Sequence, residues 1–258
     1  MRLATFNILH GRSLEDDRVD VGRYAAAIAS LDADVVALQE VDRAQERSAR
    51  ADLTAVAAEA LDAGEHRFVA ALSGTPGATW MAATGQEQPD EAAYGIALLS
   101  RFPVRSWEVV RLPAVPWTVP VVFPGDRRPK LVRDEPRVAV VAEVEDPATG
   151  RCLTVAGTHL SFIPGWNSWQ LRRLVRVLRR RPGPVVLMGD LNLEPEAVHR
   201  VSGMRPLVRA GTFPLHAPER QLDHVVVGGE GATPLRVSGG GARRMPLSDH
   251  LALTVDLA

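Results

Sequence analysis

Six short apolar runs in this 258-residue chain each end, or begin, on a carboxylate, a carboxamide or an imidazole. PVVLMGDLNLEP (184 to 195) passes from apolar residues straight into Asp190 and Asn192 before Pro195 breaks the chain. LATFN ends on Asn7, DVVALQE on Glu40 and LTVAGTH on His159. Asp223 and His224 lie inside QLDHVVV, and Asp249 and His250 open SDHLAL. A buried charge is costly unless it is paired or holds a metal, so the pattern calls for a fold that gathers strand ends. Taken singly, each residue also has a plain structural role. Asn7 can turn the chain, Glu40 can pair with Arg43, and Asp249 can close a turn with Ser248. His159 and His250 can be satisfied core histidines. His224 would face the opposite side of its strand from Asp223 and is left to the core.

Amphipathic stretches lie between the runs. Asp20 precedes apolar residues at helical spacing over 21 to 31. Residues 52 to 62 repeat the pattern with Leu53, Val56, Ala57, Ala60 and Leu61 on one face. The clearest helix spans 168 to 181, with Leu171, Leu174, Val175 and Leu178 as its buried stripe and six arginines as a solvated face. Pro147 and Gly150 put a hairpin between RVAVVAEVE and RCLTVAGTHL. The stretch from about Ser73 to Ala93 reads as a long loop, and 113 to 136, with six prolines, as an irregular excursion. GGEG and SGGGAR, near 228 to 243, lack a phosphate-binding lysine and read as loops. Helices do not separate every pair of strands, which disfavours a purely parallel sheet. The expectation is one α/β (α+β) domain over residues 1–258, with two mixed sheets packed face to face and helices outside.

Composition narrows the class. A formal charge of −1 gives no general polyanion-binding character, although a local basic patch can hide within it. Lys130 is the only lysine, so the arginine count reflects coding bias more than phosphate binding. Cys152 is the only cysteine, which excludes an intrachain disulfide and a cysteine zinc site. RLATFNIL starts at Arg2 with no charged and apolar leader before it, and no apolar run nears the roughly 20 residues of a membrane span. These features set the expectation of a reduced, cytoplasmic protein without a transmembrane segment. Oligomeric state is not readable.

The strand-end set has a chemistry. Oxygen donors from Asn, Glu and Asp suit Mg²⁺ or Mn²⁺. Two histidines and a second Asp/Asn pair supply groups that move protons and bind an oxyanion. No serine elbow, cysteine nucleophile or HExxH run competes.

In order, the chain carries TFN, LQEVD, GIALLSRFPV, GTHLSF, MGDLNLEP, QLDHV and LSDHLAL. This series, from Thr5 to Leu253, resembles the endonuclease/exonuclease/phosphatase superfamily of metal-dependent phosphoesterases. The resemblance implies a four-layer αββα sandwich with the site at one edge of the two sheets. It implies that Glu40 is the principal ligand of a Mg²⁺ or Mn²⁺ ion, with Asn7 and Asp249 nearby, directly or through water. It implies that Asp190 orients or deprotonates the attacking water, that Asn192 and His159 contact the scissile phosphoryl group, and that Asp223 partners His250. The expected activity is hydrolysis of a phosphate ester, foremost a diester, by in-line attack of water. Substrate class stays open among nucleic acid, a phospholipid or sphingomyelin headgroup, and a small mono- or diester. A non-catalytic binding role is the alternative outside catalysis, and the intact residue set argues against it. Gly95, Ile96 and Ala97 stand where many relatives have Gly-Asn-Ala, and the acidic residue usual upstream has only loose candidates in Glu87 and Glu91. Trp166, in PGWN (164 to 167), is expected to line the substrate pocket, or equally to anchor its loop. WTVPVVFP (117 to 124) is either an exposed apolar hairpin, as a lipid diesterase would need, or a proline-stiffened loop packed on the sheet.

Overall fold

The computed structural model describes residues 1–122, 128–229 and 234–258. In chain order the strands are β1 (Arg2–Asn7), β2 (Val35–Arg43), β3 (Glu65–Gly74), β4 (Trp80–Ala82), β5 (Ala93–Ser100), β6 (Val104–Leu112), β7 (Thr118–Val121) and β8 (Lys130–Arg133). They continue with β9 (Arg137–Glu145), β10 (Cys152–His159), β11 (Val185–Asp190), β12 (Arg205–Pro206), β13 (Asp223–Gly228), β14 (Val237–Arg243) and β15 (Ala252–Leu257). The helices are α1 (Val21–Leu31), α2 (Leu53–Leu61), α3 (Trp166–Leu178) and α4 (Pro195–Ser202).

Among the described residues the strands form a seven-stranded sheet, ordered β14-β15-β1-β2-β5-β3-β4, and a six-stranded sheet, ordered β12-β13-β11-β10-β9-β6. Both are mixed: β1 and β2 run parallel, as do β10 and β11, while their other neighbours are antiparallel. Strand alternation divides the core into layers. Val35 and Ala37 of β2 meet Val186 and Met188 of β11 between the sheets. Val36 and Leu38 face Tyr24, Ile28, Leu31 and Leu53 of the α1/α2 side. Val185 and Leu187 face Leu171, Leu174, Val175, Leu178 and Val198 of α3 and α4. The result is the expected four-layer αββα sandwich.

Local chemistry accounts for the helix ends. Asp20 accepts from Arg23 N to start α1, and Asp52 accepts from Thr54 N and Ala55 N to start α2. Both helices stop where an aspartate, Asp32 or Asp62, turns left-handed. Several details depart from expectation. Pro195 does not simply break the chain; it is the first residue of α4, where its missing N–H costs nothing. Helix α3 begins at Trp166, two residues earlier than the periodicity gave, because Gly165 at φ 82° serves as its cap. The proline-rich excursion contains the hairpin β7–β8, and the expected long loop contains the end of β3 and the short β4. SGGGAR is no loop: it lies in the edge strand β14, paired with β15. Phe123 and Pro124 of the apolar segment, and Glu230 and Gly231 of GGEG, lie outside the described residues. No helix among the described residues is long and apolar enough to cross a membrane.

Candidate active site

Strand parity gathers the polar ends. Leu3 of β1, Val155 of β10, Met188 of β11 and Val225 of β13 all point between the sheets. Side chains an even number of residues away share that face, so Asn7, His159, Asp190 and Asp223 project into the seam between the sheets at one end of it. His224 has the opposite parity; its Nε2 lies 2.8 Å from Leu193 O, the satisfied core role expected of it.

Glu40 arrives differently. It was expected to close its strand, but β2 continues to Arg43. The pairing of β2 with β5 slips between Gln39 and Val41, and Glu40, at φ 57°, is the extra residue of a bulge. A bulge re-aims one side chain at the expense of local strain. Here the carboxylate is turned toward Asn7 rather than toward Arg43, whose guanidinium donates to Gln88 O.

Asp190 is the hub of the cluster. Its Oδ1 accepts from Asn192 N at 3.0 Å, which helps hold Asn192 at φ 49°. Its Oδ2 accepts from Asn7 Nδ2 at 3.1 Å and lies 3.5 Å from His159 Nε2 and 3.8 Å from His250 Nε2. The last two are longer than hydrogen bonds, so neither imidazole is committed to the carboxylate. Gly189 makes this approach possible: a Cβ there would sit 1.9 Å from Thr158 O. Burial raises the Asp190 carboxyl above the ordinary range, and the charge of Asp223 adds to that; His250, Asn7 and the Asn192 N–H oppose it.

His250 has a dedicated partner, since its Nδ1 lies 2.7 Å from Asp223 Oδ2. Burial disfavours the charged ring, yet the charge and hydrogen bond of Asp223, helped by Asp190 and Asp249, push it up to about 10. The ring is therefore an imidazolium at neutral pH. Phe213 lies against it, with ring centroids 4.9 Å apart. Ser248 donates to Asn7 O at 2.6 Å and accepts from His250 N at 3.1 Å, tying the segment before β15 to the end of β1.

The remaining candidates divide by exposure. Glu40, Asp249 and Asn192 are half-buried, whereas Asn7, His159, Asp190, Asp223 and His250 are buried. Burial raises the Glu40 carboxyl, and Asp249's charge raises it further. Two partly exposed carboxylates that repel one another fit a hard divalent cation, which would relieve both. Asn7 fits less directly. Its Oδ1, the atom a cation would take, accepts from Leu9 N, while its Nδ2 donates to Glu40 and Asp190. Asn7 thus orients the two carboxylates. Asp190, Asp223 and His250 also bring one ligand atom each within 4.8 Å of one another. Within that trio only His250 and Asp223 are hydrogen-bonded, through Nδ1, and Asp190 stands 3.8 Å from the other nitrogen of the ring.

Trp166 stands outside these contacts. Its Nε1 donates to Pro113 O at 2.9 Å and its ring stacks on Trp169 at 4.5 Å, as in the anchoring role. The next residue, Asn167, does reach the site region, donating to Asn192 O at 2.8 Å. Arg137 escaped the sequence reading altogether. It is buried, and its guanidinium lies 3.1 Å from His159 Nδ1. An arginine opening the run RVAVVAEVE reads as a strand flank; the one signal was its place immediately before five apolar residues in a row that exclude solvent.

The fold is shared with solved structures of low identity. An endonuclease/exonuclease/phosphatase from Beutenbergia cavernae is 23% identical with a TM-score of 0.65, over 100% of this chain and 71% of that one. A mannosyl-6-phosphatase from Bacteroides thetaiotaomicron is 17% identical with a TM-score of 0.66, over 100% and 99%. Beta toxin from Staphylococcus aureus is 13% identical with a TM-score of 0.62, over 99% of each chain. No curated protein matches the sequence. The model of the Endonuclease/Exonuclease/phosphatase family matches residues 4–250, and the chain belongs to that family.

Proposed function

We propose that this protein is a Mg²⁺- or Mn²⁺-dependent phosphoric ester hydrolase, foremost a phosphodiesterase, that uses water directly as the nucleophile. The observation that carries the reading is the carboxylate of Asp190 between two imidazoles, 3.5 and 3.8 Å away, one of them held cationic by Asp223. Members of this family are generally phosphoester hydrolases.

Glu40 and Asp249 would hold the ion, with Asn7 orienting Glu40. Such an ion, when bound, draws negative charge from the phosphoryl oxygens. Asp190, raised toward neutrality by its burial, takes the proton of the attacking water. Asn192 and His159 hold the phosphoryl oxygens, and the His250 imidazolium offsets the negative charge that accumulates as water adds to phosphorus. The ester P–O bond breaks, the leaving oxygen keeps the bonding pair and takes a proton from solvent to depart as the alcohol, and the enzyme forms no covalent intermediate.

The test is hydrolysis of bis-p-nitrophenyl phosphate, expected with Mn²⁺ or Mg²⁺ and abolished by EDTA. Asp190→Asn and His250→Ala should each remove it from a folded protein; turnover that survives both substitutions overturns the assignment. A second reading, a diesterase working at a lipid surface, is favoured by Trp117 and Val122 beside β7 and Leu131 in β8, which are 65%, 61% and 76% exposed. Plasmid DNA, RNA, sphingomyelin vesicles and small phosphate esters assayed side by side separate these substrate classes.

A further inference from the structure

His159 is buried, and its two ring nitrogens face different chemistry. Nε2 looks into the cluster, 3.5 Å from Asp190 Oδ2 and 3.4 Å from Asn192 Nδ2. Nδ1 faces away from it, 3.1 Å from a terminal nitrogen of Arg137. A guanidinium carries five N–H donors, no acceptor, and cannot be deprotonated in a protein. A neutral imidazole has one donor and one acceptor nitrogen, so contact with a guanidinium decides which is which.

We propose that Arg137 is a positioning residue that fixes His159 as its Nε2–H tautomer. The Arg137 N–H donates to the Nδ1 lone pair, and the single ring proton therefore sits on Nε2, on the side of Asp190 and of the phosphoryl group. This rests on the phosphoesterase reading for its purpose, but not for its geometry.

One contact argues the other way. Asn192 Nδ2, also a donor, lies 3.4 Å from His159 Nε2 and would favour a lone pair there. The Arg137 contact prevails for three reasons. It is shorter, at 3.1 Å; it is charge-assisted and buried; and Asn192 Nδ2 already donates to Leu160 O at 3.1 Å. No rotamer of a guanidinium presents an acceptor.

The surroundings support the assignment. Arg137 is held from its other side by Glu135, 3.5 Å away. Burial, then the charges of Arg137 and His250, keep the His159 ring well below its ordinary tendency to take a second proton. The two histidines beside Asp190 therefore differ in kind. His250 is bonded through Nδ1 to a carboxylate, and His159 meets a guanidinium through the same atom. A neutral donor binds a phosphoryl oxygen without competing with the general base for a proton.

The deciding measurement is the ¹⁵N spectrum of histidine side chains in the full chain, with the His159 signals identified by their loss in His159→Gln. The native protein is expected to show a neutral Nε2–H ring for His159 from about pH 8 down to about pH 5.5, the span across which an ordinary histidine takes up its charge. Arg137→Met should release that ring to a mixture of tautomers and lower kcat about 10- to 100-fold, as loss of an orienting partner does, with KM little changed. Arg137→Lys, which keeps a charged donor, should hold the Nε2–H signature and recover much of kcat. A native ring protonated on Nδ1, or cationic, overturns the proposal, and so does an unchanged ring with unchanged kcat in Arg137→Met. Because the spectrum needs neither substrate nor turnover, an inactive protein with the expected ring would count against the hydrolase reading alone. If Arg137→Met does not fold, the native spectrum decides.

Discussion

Nδ1 of His250 lies 2.7 Å from Oδ2 of Asp223, and both side chains are buried. The folded protein thereby binds the His250 proton more tightly than the unfolded chain does, with the ring moved from 6.5 to about 10. Stability from this pair is fully present below the unfolded value and is lost as pH rises through the folded one. Asp223→Asn should therefore lower Tm most near pH 6, with the deficit shrinking toward about pH 10. The native kcat/KM should fall on the same alkaline side as the imidazolium is lost. Melting curves for both proteins across that range test the pair, and a deficit independent of pH removes it.

The mutual repulsion of Glu40 and Asp249 gives a binding test that needs no substrate. Mn²⁺ should raise Tm, since a ligand of the folded state alone adds about 2.7 kcal/mol at a hundred times its Kd. In Glu40→Gln most of that shift should disappear, while Tm without metal should not fall. Thermal melts with Mn²⁺ and with EDTA read both outcomes; an undiminished shift would move the ion elsewhere.

For Asp190→Asn, folding should survive, because the amide has the carboxylate's size and its one oxygen can still accept from Asn192 N, with the bond from Asn7 lost. Turnover should drop by about 10²–10⁴-fold, the usual contribution of a general base. Steady-state rates beside a circular dichroism spectrum separate chemistry from unfolding.

Gly189→Ala should damage the fold as well as the site. A Cβ 1.9 Å from Thr158 O, at φ 146°, cannot be relieved by a side-chain rotation. A loss of roughly 2–4 kcal/mol is expected, in the range of buried strain. Asp52→Ala, by contrast, removes only the cap of α2 and should cost about 1 kcal/mol. Urea titration of the two variants tests the contrast.

Trp166→Ala should lower stability through its lost bond to Pro113 and its lost stacking on Trp169. A change in KM of less than about twofold (well under 1 kcal/mol of binding) would leave it as an anchor. A large rise in KM at unchanged Tm would restore the pocket-lining role expected from PGWN.

The layers and most of the cluster were legible in the sequence, because alternation and helical spacing report burial directly. Leu171, Leu174, Val175 and Leu178 all proved buried, and Asn7, His159 and Asp190 lie at the ends of their strands. What the sequence hid depends on long-range pairing. The bulge at Glu40 exists only in register with β5, and LQEVD carries no glycine or proline to announce it. The glycines of SGGGAR suggested a loop, but pairing with β15 makes them strand. Arg137 and His159 stand 22 residues apart, and only the pairing of β9 with β10 carries their contact.

Because the groups of the candidate site come from both halves of the sandwich, the proposed activity would belong to neither sheet alone. Asn7 and Glu40 travel with one; His159, Asp190 and Asp223 travel with the other. A fragment, or a partly melted chain, that kept either half intact would retain well-formed strands and no working center. Turnover should therefore vanish in step with separation of the two halves, which makes residual activity a direct gauge of whether they are still joined.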